Sequence, residues 1–197
     1  MQQFTKRAIT EAFIELLNER PFDKITVTDI TNRCGVNRNT FYYYYQDIYA
    51  LVDEVLRDEA AKLVDEHREF LTWQEGFFEA MGFARQNSKA IYHLYNSVNR
   101  ARLEEYIYEM SFNTVSAFVL RQSEGMEVRD EDVHDITVLY TVAIEGLMLD
   151  WLHVGMKEDP EEYLNRIGDL FEGVTKHALY KSHNTLQKER LGTAQTE

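Results

Sequence analysis

The chain has 197 residues, 44% of them hydrophobic, and a formal charge of −13, enough apolar material for one large domain or a small domain beside a medium one. Two prolines and nine glycines exclude a loop-rich or all-β chain, and the single Cys34 excludes an internal disulfide framework and suits a reducing compartment. No secretory pattern opens the chain, and the most apolar window, Val138–Leu152, is interrupted by Glu145 and Asp150, so the expectation is an all-α cytoplasmic protein without a membrane span.

The charge is unevenly spread. Residues 1–49 carry six cations (Lys6, Arg7, Arg20, Lys24, Arg33, Arg38) and six anions (Glu11, Glu15, Glu19, Asp23, Asp29, Asp47), so residues 50–197 hold the whole excess. Such asymmetry points to two functional units. Phosphate would be repelled by the acidic body and approached only by the neutral head. Few phosphate contacts per head imply that useful affinity needs two heads, hence a dimer.

Apolar spacing predicts a first helix over 4–19, with Ala8, Ala12, Phe13, Leu16 and Leu17 on one face, ended by Pro21-Phe22. Thr26 and Asp29 have the spacing of a capping box, opening a short helix from Val27 to Arg33. Gly35 stands where a left-handed C-cap residue is wanted. Asn37 can cap a third helix, Arg38–Tyr45, and Asp47 a fourth that continues through Leu51, Val55 and Leu63 to about Phe70. A short helix, a Gly-Val corner and a second short helix form the grammar of a helix-turn-helix.

Further helices follow, with loops near 72–74, 86–88, 125–129 and 157–160. One helix covers about 99–122 and another about 131–154. The latter is apolar nearly all round, with one stripe through Val133, Ile136, Tyr140, Ala143, Leu147 and Trp151 and another through Val138, Val142, Leu149 and Leu152. It must be covered on both sides. A last helix is expected from Pro160 to Tyr180, with Gly168 and Gly173 small enough to admit another helix closely. Residues 182–197 are polar and aperiodic, the pattern of a flexible tail. The division is therefore 1–49 for the helix-turn-helix, 50–181 for a sensing and dimerisation body, and 182–197 for the tail.

On the third helix, Val36, Phe41 and Tyr45 are spaced to point inward. Arg38, Asn39, Thr40, Tyr42, Tyr43 and Tyr44 are left outward. Arginine can make a bidentate contact to guanine and asparagine to adenine. Thr and Tyr hydroxyls reach phosphate oxygens, and Thr26 and Thr28 sit beside the backbone N–H groups of a helix start, also placed for phosphate.

Residues 4–56 resemble the N-terminal domain of TetR/AcrR-type transcriptional regulators. The likeness is carried by Phe13, Thr26, Val27, Ile30, Gly35-Val36, Thr40-Phe41-Tyr42, Tyr45 and Leu51. It implies an all-helical homodimer with three DNA-binding helices, a connecting fourth helix and a ligand-sensing body whose occupancy changes the separation of the heads. Ile144-Glu145-Gly146, Asp150-Trp151-Leu152, Gly155-Met156 and Pro160-Glu161-Glu162 look like the end of the regulatory domain in one large subgroup, a member of which activates dihydroxyacetone use. Three positions depart from the family pattern. Ile48 stands where a lysine usually contacts phosphate, and Thr31 and Cys34 stand where alanines are common.

The body is rich in aromatics, and the resemblance implies that some line an effector pocket. Phe77, Met81, Tyr95, Tyr106, Met110, Phe118 and Tyr140 are the candidates. Leu149, Leu152, Leu164, Ile167, Phe171 and Val174 are the candidates for a dimer interface. Glu131-x-x-His134 has the spacing found in carboxylate-bridged metal bundles, but such sites need a second motif, which Asp150-x-x-His153 supplies poorly. Ser-His-Asp sets, Gly-rich phosphate loops and CxxC pairs are absent from the sequence. The expectation is therefore a non-enzymatic, cofactor-free and metal-free regulator. It would bind a double-stranded operator and a small-molecule effector, most simply as a repressor released by that effector. The alternative is a co-activator or adaptor whose head binds protein.

Overall fold

The computed structural model describes residues 2–66, 73–171 and 173–193, and side chains within 3–58, 73–171 and 173–190. Leu63, whose side chain the sequence placed in the fourth helix, and residues 67–70 at its expected end lie outside these described parts. The order is α1 (Gln2–Glu19), a 3-10 turn (Phe22–Lys24), α2 (Val27–Cys34), α3 (Arg38–Tyr44), α4 (Ile48–Glu66), α5 (Trp73–Gln86), α6 (Ser88–Tyr95), α7 (Arg100–Gln122), α8 (Asp130–His153), α9 (Pro160–Phe171) and α10 (Val174–Thr193). Among the described residues there is no strand.

The chain divides into two compact units. The first is Met1–Arg68 with Gly82–Tyr106, and the second is Glu69–Met81 with Ile107–Glu197. The division expected between residues 49 and 50 therefore does not coincide with the packing: α4 and α6 belong to the same unit as α1–α3. Leu51 and Val52 at the start of α4 are fully buried, as are Ile9, Phe13, Leu16, Ile30 and Phe41. The ring of Phe13 meets that of Phe22 edge-on at 6.2 Å.

Polar bonds lock this first unit. The last carbonyls of a helix lack partners within it. That of Leu17 in α1 lies 2.6 Å from Nδ1 of His93 in α6. Arg102 pairs with Asp53 and sits 5.7 Å from the ring of Tyr49, which holds the start of α7 against α4. Neither link has a local sequence signature.

In the second unit α8 is the core helix. Thr137, Thr141, Ile144, Met148, Trp151 and Leu152 are buried. Thr137 and Thr141 hide their hydroxyls by donating to the carbonyls one turn back, at 2.8 and 2.7 Å. An 18-residue window of α8 reaches a mean hydropathy of 1.2, so by length and apolarity it passes for a membrane span despite Glu145 and Asp150. Its buried face and its opening acids, Asp130, Glu131 and Asp132, mark it as a core helix of this unit. The indole of Trp151 donates to the Glu158 carbonyl at 3.1 Å, and the Tyr163 hydroxyl to the Leu147 carbonyl at 3.3 Å, fixing the turn into α9.

Two expectations fail at the C-terminal end. The single helix predicted over 160–180 is two, because Gly173 adopts a left-handed φ of 74° between them. The close approach expected at Gly168 is real, but its occupant is a side chain: a Cβ there would collide with Gln74. The flexible tail expected over 182–197 is, as far as Thr193, the rest of α10. Ser182 is buried and donates to the Asp132 carboxylate at 2.6 Å. Arg190 pairs with Glu127 at 2.5 Å, and Glu189 with Arg129 at 2.5 Å. Periodicity missed this segment because ion pairs hold it rather than an apolar stripe.

Candidate nucleic-acid interface

The helix-turn-helix is assembled by its caps. Thr26 and Asp29 form the full reciprocal box: the Thr26 hydroxyl accepts from the Asp29 amide at 3.2 Å, and the Asp29 carboxylate accepts from the Thr26 amide at 2.9 Å. The Thr26 hydroxyl also donates to that carboxylate at 2.6 Å, and this bond first, with the amide's next, holds the Asp29 carboxyl below its ordinary value. Gly35 takes a left-handed φ of 71° and turns the chain. Asn37 then caps α3, accepting from the Thr40 amide at 2.8 Å, and Asp47 caps α4, accepting from the Ala50 amide at 2.8 Å. Each capped start was legible in the sequence.

Phe41 and Tyr45 anchor α3 from inside, at 0% and 3% exposure, and Val36 is half-buried. The Tyr45 hydroxyl bonds the Glu54 carboxylate of α4, which also pairs with Lys6 of α1 at 2.5 Å. Burial foremost, and that carboxylate next, raise the Tyr45 phenol well above its ordinary value. Tyr45 therefore stays a neutral donor that ties the recognition helix to α1 and α4.

On the opposite face, Arg38 and Asn39 are exposed, Tyr42 and Tyr43 are 47% and 70% exposed, and Thr40 and Tyr44 are half-buried. Arg38 lies along Tyr42, donating to its hydroxyl at 3.3 Å with the guanidinium 5.9 Å from the ring centre. Tyr43 and Tyr44 meet edge to face at 5.0 Å. Of the six α3 residues expected to face outward, Arg38, Asn39, Tyr42 and Tyr43 thus form one exposed ridge, whereas Thr40 and Tyr44 are partly covered. Thr28 is exposed, whereas the Thr26 hydroxyl is committed to its cap. Thr40 donates to Asn37 at 3.1 Å.

The sequence did not reveal how the head disposes of its cations. Arg33 bonds Glu19 at 2.8 Å and Glu15 at 3.1 Å, and these carboxylates raise the guanidinium above its ordinary value, Glu19 first. Arg20 pairs with Asp29, Arg7 with Glu11 and Lys6 with Glu54. Only Lys24 and Arg38 of the six make no ion pair among the described residues. Cys34 is half-buried, its thiol 3.2 Å from the Ile30 carbonyl.

Residues 9–55 match the family profile described as bacterial regulatory proteins of the tetR family, and residues 71–173 match one described as a transcriptional regulator C-terminal region. The chain belongs to the TetR family. Members of this family bind DNA, form dimers and respond to small-molecule effectors. Among curated proteins, the dhaKLM operon transcriptional activator DhaS of Lactococcus lactis is 25% identical over 83 residues, 42% of this chain and 44% of that protein. The regulator YvdT of Bacillus subtilis is 27% identical over 73 residues, 37% of this chain and 38% of that protein. The matches thus span less than half of either relative.

Solved structures match over far more of the chain. That of the dihydroxyacetone kinase operon activator DhaS has a TM-score of 0.70 at 20% identity, covering 87% of this chain and 96% of that one. A TetR regulator from Streptococcus agalactiae has a TM-score of 0.58 at 23% identity, covering 92% and 95%. NalD of Pseudomonas aeruginosa, a repressor of a multidrug efflux pump, has 0.60 at 16%, covering 86% and 95%. At these identities the likeness establishes the fold.

The other candidate sites are less coherent. Of the expected pocket residues, Phe77, Met81 and Met110 are buried and Phe118 and Tyr140 half-buried in the second unit. Tyr95 and Tyr106 belong to the first, where the Arg100 guanidinium lies 4.4 Å from the Tyr95 ring centre. Of the expected interface residues, Leu152 and Leu164 are buried at 3% and 5% exposure and face their own core. Leu149 and Ile167 are half-buried. Phe171 and Val174 are exposed, as are Val142, which lies on a predicted stripe, and Leu139, Leu170 and Tyr180, which lie on none. Glu131 and His134 are exposed at the start of α8, and Asp150 and His153 at its end.

Proposed function

We propose that this regulator binds a near-palindromic operator as a homodimer and releases it when a small molecule occupies the body, acting as a repressor. The observation that carries the DNA-reading part is the α3 ridge: Arg38, Asn39, Tyr42 and Tyr43 stand exposed on a helix capped by Asn37 and pinned by buried Phe41. Arg38 supplies a bidentate donor for guanine and Asn39 a donor-acceptor pair for adenine. Thr28 and the tyrosine hydroxyls supply phosphate contacts.

The dimer reading is supported by the exposed apolar side chains of α8, α9 and α10: Leu139, Val142, Leu170, Phe171 and Val174. Exposed apolar residues concentrated on successive helices of one unit mark an association surface. The effector reading is supported by two buried hydroxyls without a hydrogen-bond partner among the described residues, Ser111 of α7 and Tyr140 of α8. Buried hydroxyls of this kind are ordinarily satisfied by an ordered water or a bound ligand.

Selection of bound sequences from a random duplex library tests the proposal. The expected result is a two-fold-related motif with half-sites about 34–36 Å apart, one helical turn. Recovery of unselected sequence would refute operator recognition.

A second reading is favoured by the ion-paired cations of the head and by Ile48. A head with few free cations neutralises few phosphates, and a co-activator or adaptor needs none. No gel shift at low salt with the chain's own promoter, together with binding to another regulator, would select this reading.

A further inference from the structure

A partly open apolar pocket of about 120 Å³ lies within the first unit, and none of the residues expected to sense an effector is among its described lining. Ile14 and Leu17 of α1, Val55 of α4, Ile91 of α6 and Phe83 at the end of α5 form most of its wall. Asn87 is the only polar residue among its described lining. Although Asn87 occupies the N-cap position of α6, its side chain makes no cap bond. Its amide instead donates back to the Phe83 carbonyl at 3.0 Å.

Such a lining decides what enters. A site with one amide among hydrocarbon walls gives a water molecule too few partners, so an apolar solute competes well for it. A dry apolar cavity of roughly 150 Å³ accommodates a benzene ring. We propose that this cavity is a binding site for a compact hydrocarbon-like molecule no larger than such a ring, held between α1, α4 and α6. The site goes beyond the effector reading of the body and does not depend on it or on DNA recognition. Its occupant touches α1, whose Phe13 and Leu16 are core residues of the helix-turn-helix head, so it stabilises the α1–α4–α6 arrangement in which the cavity is open.

The test uses the full chain, methyl-labelled at Ile, Leu and Val, titrated with benzene. Saturable shifts are expected at the methyls of Ile14, Leu17, Val55 and Ile91, with a rise in thermal midpoint. Ala90→Leu fills the cavity from α6 and should abolish both responses; if that variant does not fold, Val55→Leu fills it from α4. Absence of saturable shifts at these methyls up to the solubility of benzene would overturn the proposal. So would shifts and stabilisation that persist unchanged in the filled variant.

Discussion

The segment from Thr26 to Asp47 and the segment from Pro160 to Thr193 are both helical, yet one was readable residue by residue and the other was not. In the first, every boundary is set by a residue within three positions of it: Thr26 with Asp29, Gly35, Asn37 with Thr40, and Asp47 with Ala50. In the second, the boundary at Gly173 competes with a favourable stripe, and the far end is held by Asp132, Glu127 and Arg129, fifty or more positions away in the chain. Local rules decide where a helix starts. Which polar helix is held, and which apolar stripe faces inward, is decided by partners that a single sequence does not reveal.

The largest test of this contrast is in the two cores. Phe41→Ala should cost about 3–5 kcal/mol and Leu179→Ala about 2–5 kcal/mol, read by urea denaturation. Leu179 is fully buried in α10, so a near-neutral result there would mean that the C-terminal helix is ornamental.

Backbone and cap effects come next. Gly35→Ala places a side chain at φ 71° and should destabilise the first unit by about 1–3 kcal/mol. Thr26→Ala should cost about 1 kcal/mol. The cap also has a pH signature. Because the Asp29 carboxyl is held below its ordinary value when folded, its contribution is complete above about pH 4 and is lost as pH falls through the lowered value. Acid titration of stability should therefore be shallower in Thr26→Ala than in the parent below pH 4. Identical slopes would deny the Thr26–Asp29 box its part in the fold.

The smallest stability effect belongs to the exposed apolar patch. Leu170→Ser, at a residue 71% exposed, should change the stability of the unassociated chain by less than about 0.5 kcal/mol. Sedimentation should nevertheless show weaker self-association, because the patch is the proposed dimer surface. Unchanged association would move that surface elsewhere.

How much of the site was legible follows the same division. The outward set on α3 could be assigned because Phe41 and Tyr45 fix the helix phase and the caps fix its ends. The pairing of Arg33 with Glu15 and Glu19 could not, since it joins α2 to α1 across fourteen or more positions. Nor could the burial of Leu152, because α8 is apolar nearly all round and its sequence does not say which stripe its own unit covers.

The most direct measurement compares Arg38→Ala with the parent on a selected operator and on random duplex at the same salt. The account predicts a loss of about 1–3 kcal/mol on the operator and a much smaller loss on random DNA, because a base-reading contact is removed. Equal losses on both, or none on the operator, would contradict the central claim that the α3 ridge reads bases.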